Sequence, residues 1–359
     1  MAKQVGYAVL GAGVARTAIL PAFARATENS KLVAVVSADR ADAQRVAQEF
    51  RATAYHFDEL RQCLGREDVN AVWVAVPNAL HCDYAVEAAR AGVHVLCERP
   101  MAVTADECRR LLRTCQTNRV KLMIGYRWPF QSAPLKAMEI VRAGAIGMPK
   151  TFSSDFTIKL EDPDDVRLQR RLGGGTVYDL GIETVNAVRS LFGAEPAQVM
   201  AMTARTSRRY GGDVDESGVA LIRFPDERLA HFHTSFGEEP TARLTVFGED
   251  GLIHLQNAYR FADPMTLQIV RNGRMEEMTF EPGEPFAAAL TYFSECIVKD
   301  RQPEPGGIDG LQDVRIVEAI YRSARDGRPV TLPRLARVDT PAAAAEELGK
   351  VMPERRAAS

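Results

Sequence analysis

Val5-Gly6-Tyr7-Ala8-Val9-Leu10-Gly11-Ala12-Gly13-Val14-Ala15-Arg16 is the stretch that decides the fold. A short apolar run ends in glycines, and a helical pattern opens directly behind them. In that context a Gly-x-Gly pair reads as a phosphate-binding turn between a strand and a helix. Gly11 permits the tight turn, and Gly13 lets the backbone approach a pyrophosphate at the positive end of the helix. Val14 and Ala15 follow on the same turn. The third glycine position holds Arg16, and Ala15 serves as the small packing residue.

Working outward, residues 1–125 alternate short apolar strands with amphipathic helices, the pattern of a parallel sheet covered on both faces. Strands are predicted near Tyr7–Leu10, Leu32–Ser37, Ala71–Val76, Val93–Cys97 and Lys121–Ile124. Helices are predicted near Ala15–Arg25, Asp42–Phe50, Asp83–Ala91 and Ala105–Thr117, the last opened by a Thr104/Glu107 capping box. The series predicts a doubly wound dinucleotide-binding domain.

After Gly125 the texture changes. A helix over Ala133–Ala143 precedes β-branched and aromatic segments at Lys150–Phe156, Ala197–Thr203, Gly218–Phe224, Leu229–Phe236, Ala242–Phe247 and Leu252–Gln256. Pro225-Asp226-Glu227 and Gly248-Glu249-Asp250-Gly251 read as hairpin turns. Residues 126–332 are therefore expected to form an α+β domain with a large, mostly antiparallel sheet. Helices near Phe286–Val298 and Leu311–Asp326 close it, and 333–359 reads as a tail. His231 and His233 alternate along a strand and read as sheet residues.

The chain has 359 residues, enough for two domains at roughly 100–200 residues each. Its net charge of -2 offers nothing to nucleic acid or an anionic membrane. No apolar run approaches the ~20 residues that span a bilayer, and the first strand leaves no room for a signal peptide. A cytoplasmic protein is expected. The six cysteines show no metal-ligand spacing, so reduced, buried thiols and no metal site are expected, with Cys97 placed beside the cleft.

The end of the second strand usually discriminates between the nicotinamide cofactors. It reads Ser37-Ala38-Asp39-Arg40. Ser37 stands where an acid would hold both ribose hydroxyls of NAD, and Arg40 is placed to pair with a 2′-phosphate. This favours NADP, with NAD kept as the alternative through Asp39.

Several ordered motifs carry a family resemblance: Gly11-Ala12-Gly13, Pro77-Asn78-Ala79-Leu80-His81, Glu98-Arg99-Pro100 and Gly125-Tyr126-Arg127. Further on come Arg167 to Gly175, Asp179 to Asn186 and Gly310 to Arg315. The chain resembles the Gfo/Idh/MocA oxidoreductases, closest in texture to the glucose–fructose oxidoreductase branch. The resemblance implies an N-terminal Rossmann domain and a second domain with an open sheet that often forms a dimer or tetramer contact. It also implies hydride transfer between a nicotinamide ring and a sugar or polyol. Pro77, Asn78, His81, Glu98, Arg127 and Arg167 would then meet the cofactor, and Tyr126 and Trp128 the substrate.

In the family the catalytic set is a Glu-Lys-Pro lysine, an aspartate, and a tyrosine or histidine. Here these positions are Arg99, Asp179 and Glu183. Arginine stays protonated, so it binds or stabilises an oxyanion but does not exchange a proton. Asp179 and Glu183, one helical turn apart, are the expected proton-transfer pair. The reciprocal charges also make an Arg99–Glu183 ion pair plausible. Two alternatives stand beside the sugar oxidoreductase: a nucleotide-binding regulator or pseudoenzyme of the same fold, and a trans-dihydrodiol or biliverdin-type reductase.

Overall fold

The structure is a computed structural model. It describes residues 4–206 and 213–333, with the backbone alone at 12–14. The expected tail therefore lies almost wholly outside the described residues.

Strands β1 (Val5–Leu10), β2 (Ser30–Ser37), β3 (Thr53–His56), β4 (Ala71–Val74), β5 (His94–Cys97) and β6 (Leu122–Ile124) form one sheet in the order β3-β2-β1-β4-β5-β6. Every pairing in it is parallel. All six residues of β1 are buried, as a strand covered on both faces requires. Helices α1 (Ala12–Ala22), α2 (Arg40–Phe50), α3 (Leu60–Leu64), α4 (His81–Arg90) and α5 (Ala105–Thr117) connect the strands. The capping box of α5 is present: Glu107 N donates to Thr104 Oγ1 at 3.2 Å and Thr104 N to Glu107 Oε2 at 3.1 Å. Helix α1 starts three residues earlier than predicted. Gly11 takes a left-handed φ of 101°, which completes the turn in one residue and lets the helix begin at Ala12.

The second sheet is built from β7 (Pro149–Lys159), β8 (Gln198–Ala204), β9 (Ser217–Arg223), β10 (Leu229–Ser235), β11 (Gly237–Gly248), β12 (Gly251–Gln256), β13 (Met265–Arg271), β14 (Arg274–Phe280) and β15 (Val330–Thr331). Its order is β14-β13-β12-β11-β7-β10-β9-β8-β15. Within this sheet only the β10–β7 pairing among the described strands is parallel. Helices α6 (Ser132–Arg142), α7 (Ile182–Phe192) and α9 (Gly307–Asp326) pack against one face. The other face exposes Met200, Met202, Val219, Leu221 and Leu229, neighbours across β8, β9 and β10.

Helix α8 (Pro285–Val298) returns to the first sheet, although it follows the second in sequence. Phe286 and Phe293 share a core with Tyr7, Ile19 and Trp73. Ser294 Oγ meets Tyr7 Oη at 2.7 Å and Ser30 Oγ at 2.8 Å. This return ties the second half of the chain to the first sheet and sets Phe286 in the wall of the cleft. Among the described residues no helix is long and apolar enough to cross a membrane.

Candidate active site

The glycine turn opens α1, whose later residues Thr17, Ala18 and Ile19 line the cleft. A Cβ on Gly11 would stand 2.4 Å from the Ala75 carbonyl oxygen, so no larger residue fits between β1 and β4. Ala15 is fully buried, as the small packing residue should be. At the end of β2, Ser37 is buried, and its Oγ lies 3.3 Å from the Asp39 amide. Asp39 Oδ1 caps α2 by accepting from Ala41 N at 2.8 Å and Asp42 N at 3.2 Å. Arg40 Nη1 pairs with Glu59 at 2.9 Å on the surface. A dinucleotide fits this arrangement: glycine backbone and a helix start for phosphates, and a surface guanidinium where a 2′-phosphate would lie.

A cavity of about 510 Å3 lies between Thr17, Ala18 and Ile19 of α1 and Phe156, Ile158 and Tyr259 of the second domain. Arg99, two residues beyond β5, projects into it. Its Nε donates to Glu183 Oε1 at 2.8 Å and its Nη1 to Asp179 Oδ1 at 2.7 Å. Arg127 Nη2 reaches the same Glu183 oxygen at 3.2 Å, and Arg167 Nη1 lies 3.7 Å from Asp179 Oδ2. Among the described residues Nη2 of Arg99 has no hydrogen-bond partner, and Arg99 borders the cavity. Asp179 belongs to a π-helical turn, Val177–Gly181, that runs into α7. Such a widened turn often marks a functional site. Here Asp179 and Glu183 converge on one guanidinium, on one face as predicted.

The electrostatics follow from burial and pairing. Burial pushes the Asp179 carboxyl up, but the Arg99 and Arg167 guanidiniums outweigh it and hold the group below the ordinary aspartate range. The expectation that Asp179 titrates in the useful range is therefore corrected. Glu98 behaves in the opposite way: burial raises it, and the opposing pull of Arg127 and Arg99 does not cancel that effect.

Of the residues expected here, Pro77, Asn78, His81, Glu98, Arg127 and Arg167 all border the cavity. Two have other duties. Asn78 Nδ2 donates to Gly173 O at 2.9 Å, tying the first domain to the Gly173-Gly174-Gly175 turn. His81 is buried, with ring nitrogens 2.7 Å from Pro100 O and 2.8 Å from Val76 O, so its ring braces the Arg99 loop.

Tyr126 and Trp128 are corrections. Both are buried at the domain junction away from the cavity, and Trp128 Nε1 donates to Ala258 O at 3.1 Å. They follow Gly125 into the core, and only Arg127 between them turns outward. Cys97 is likewise fully buried, with Sγ 3.7 Å from Met101 O, and burial raises its thiol well above the ordinary value. All six cysteines are free and buried.

The sequence reading missed Phe261 and Phe286, whose rings flank the Arg127 guanidinium at 5.7 and 5.5 Å. It also missed Tyr259, whose Oη meets Ser154 Oγ at 2.8 Å, and Asp165, which chelates Arg167 at 2.7 and 2.9 Å. No motif marks these four; they reach the cleft through sheet register and the return of α8. A wider cavity of about 1030 Å3 lies beyond Tyr178 and Tyr321. Arg99, Asp179 and Glu183 do not line it. Among the described residues no group of three or more His, Cys, Asp or Glu side chains is arranged to hold a metal.

Comparison with known proteins agrees with this geometry. Residues 5–126 match the oxidoreductase family with an NAD-binding Rossmann fold, and residues 135–254 match the GFO/IDH/MocA C-terminal domain. D-xylose 1-dehydrogenase (NADP(+)) 2 of Haloferax volcanii is 32% identical over 91% of this chain and 99% of its own. The dTDP-3,4-didehydro-2,6-dideoxy-alpha-D-glucose 3-reductase of Streptomyces violaceoruber is 31% identical over 87% and 93%. The crystal structure of an aldose-aldose oxidoreductase from Caulobacter crescentus, complexed with glycerol, superposes with a TM-score of 0.87. It shows 35% identity and covers 92% of this chain and all of that one. With the Rossmann turn, the open sheet and the charged cleft between them, the chain belongs to the Gfo/Idh/MocA family of oxidoreductases.

Proposed function

We propose that this protein transfers hydride between NADP and a sugar or closely related polyol bound in the 510 Å3 cleft. The observation that carries the reading is the Arg99–Asp179–Glu183 cluster in a cleft that also borders helix α1 and the Pro77-Asn78 turn of the Rossmann domain. Relatives named for NADP-linked xylose oxidation and for a sugar reduction support it. NADP is favoured over NAD because Asp39 already caps α2, while Arg40 is held only by a surface pair.

Within the cleft, bound cofactor supplies the hydride acceptor or donor. The free Nη2 of Arg99 points a donor at the substrate oxygen and stabilises negative charge forming there. Asp179 and Glu183 hold Arg99 in place, and their remaining lone pairs accept from sugar hydroxyls. Phe261 and Phe286 keep Arg127 fixed behind Glu183. Arg99 and Glu183 stand where the family usually has lysine and tyrosine or histidine, while Asp179 keeps the family's aspartate. Their roles shift accordingly, from exchanging a proton to orienting the substrate and balancing its charge.

The test is to titrate purified protein with NADP and with NAD, then add a panel of aldoses and polyols while following reduced-nicotinamide absorbance. Turnover with tighter NADP binding is expected. Tight cofactor binding with no absorbance change for any sugar or reducible carbonyl compound would favour the regulator reading, in which the ion pairs silence the cleft.

The chain is also proposed to form a homodimer or homotetramer through the exposed Met200, Met202, Val219, Leu221 and Leu229 face. Sedimentation should show an assembly at micromolar concentration, and Leu221→Arg should dissociate it. A wild-type monomer would refute this. The six free buried thiols fit a reducing compartment such as the cytoplasm.

A further inference from the structure

Four carboxylates border the cleft: Glu98, Asp165, Asp179 and Glu183. Three are committed to cations: Asp165 to Arg167, Asp179 to Arg99 and Arg167, and Glu183 to Arg99 and Arg127. Glu98 differs. Its Oε1 accepts from Trp73 Nε1 at 3.1 Å, and among the described residues it has no ion pair and its Oε2 no partner. Gly125 leaves the room it needs, since a Cβ there would stand 3.0 Å from Oε1.

The geometry points to Glu98 as the proton-transfer residue of this cleft. The inference rests on the hydride-transfer reading above. In oxidation, the carbinol C–H leaves as hydride to the nicotinamide cofactor, the O–H electron pair becomes the second C=O bond, and the hydroxyl proton passes to the Glu98 carboxylate. In reduction the protonated carboxyl returns that proton to the alkoxide oxygen. Two electrons and one proton are thereby accounted for in each direction, and Glu98 re-equilibrates with water between turnovers.

Two physical arguments support the choice. Arginine at position 99 removes the family's usual proton carrier, and a guanidinium does not replace it. Glu98 is also the cleft carboxyl that burial pushes toward neutrality, which suits proton exchange. The charged and titratable groups facing it are Arg99 and Cys97 on its own segment, Arg127 after β6 and Glu183 on α7. The two guanidiniums and the Trp73 hydrogen bond oppose burial without cancelling it.

The test follows sugar oxidation against pH in wild type, Glu98→Gln, Glu98→Asp and Trp73→Phe, with infrared spectra of the cofactor-free protein. The wild-type rate should rise with pH through one ionisation above the ordinary carboxylate range. Glu98→Gln should lower kcat by about 10²–10⁴, leave KM nearly unchanged and erase that limb. Glu98→Asp should restore the limb at a reduced rate. Trp73→Phe, which deletes a donor to the carboxylate, should move it to higher pH. In the infrared, a protonated-carboxyl band should titrate with the same limb and vanish in Glu98→Gln. A Glu98→Gln protein with wild-type rate and limb overturns the assignment while leaving the hydride-transfer reading intact, and so does an absent band. A folded wild type that binds NADP yet turns over nothing defeats the underlying reading, whatever the band shows.

Discussion

Two clusters of buried charge lie along the same helical segment, 177–192, and each gathers carboxylates around one guanidinium. Toward the cleft, Arg99 holds Asp179 and Glu183. Behind it, Arg189 donates to Asp313 at 2.6 Å and to both oxygens of Glu195 at 2.6 and 2.8 Å, while Asn186 Nδ2 donates to Asp313 at 2.9 Å. In the inner cluster all three guanidinium nitrogens are used, and none of its members lines the cleft. In the outer one Nη2 of Arg99 is open. Ion pairing therefore does not mark the working site; the unspent donor and the space beside it do.

The largest expected effect breaks the inner cluster. Arg189→Met leaves Asp313 buried without its cation, and removing one partner of such a pair costs about 3–5 kcal/mol. Urea unfolding should register that loss, while the folded fraction binds NADP as before. A loss below about 1 kcal/mol would mean that water or a shifted helix compensates the inner cluster as readily as the outer one.

Arg99→Met makes the same change where a cavity adjoins it. The abandoned carboxylates keep Arg127 and Arg167 as neighbours and gain water, so unfolding should shift much less than for Arg189→Met. Turnover should instead fall by about 10²–10³, the scale for losing one donor to a developing oxyanion. Equal stability losses in the two variants would erase the distinction drawn here.

How much of this was legible beforehand differs between the two clusters. The outer one lay in motifs: glycine spacing, Glu98-Arg99-Pro100, and two acids one turn apart named its members, including the Arg99–Glu183 contact. The inner one joins Arg189, Glu195 and Asp313, and only the docking of α9 against α7 brings the last of these in. Tyr126 and Trp128 were misread because adjacency to a cleft residue in sequence says little about which side chain turns inward. Strands β13 and β14 were missed, although Asn272-Gly273 between them, at φ 51° and 69°, is a recognisable hairpin signal. The solvent-facing charges of β14 hid its period.

The clusters also differ in the sign of their response to acid. Asp179 is held below the ordinary aspartate value, so its contribution to stability is present above that value and lost as pH falls through the folded one. Asp313 is pushed up from 3.8 to about 6, because burial outweighs the Arg189 charge. The fold favours its protonated form, so its contribution declines as pH rises across that interval, by on the order of 1–3 kcal/mol. Carboxyl carbon NMR should find one aspartate titrating near 6 that disappears in Asp313→Asn. A second, below the ordinary range, should disappear in Asp179→Asn. Asp179 and Asp313 shifted in the same direction would sink the comparison.

The smallest effect comes from a third guanidinium, which neither cluster holds. Arg40 pairs with Glu59 on the surface, where solvent competes for both partners and the fold depends little on the contact. That leaves Arg40 available to a phosphate, which carries more charge than a carboxylate and offers several acceptors. Arg40→Ala should therefore weaken NADP binding about tenfold, leave NAD binding unchanged and not alter unfolding, since a hydrogen bond to a charged group is worth about 1.5–3 kcal/mol before screening by salt. The lost affinity should shrink as salt is raised, because an exposed contact is screened where the two buried clusters are not. Fluorescence titration of both cofactors at low and high salt measures all of this. If NADP and NAD weaken together, Arg40 shapes the loop and does not read the 2′-phosphate, and the preference must then arise at Ser37.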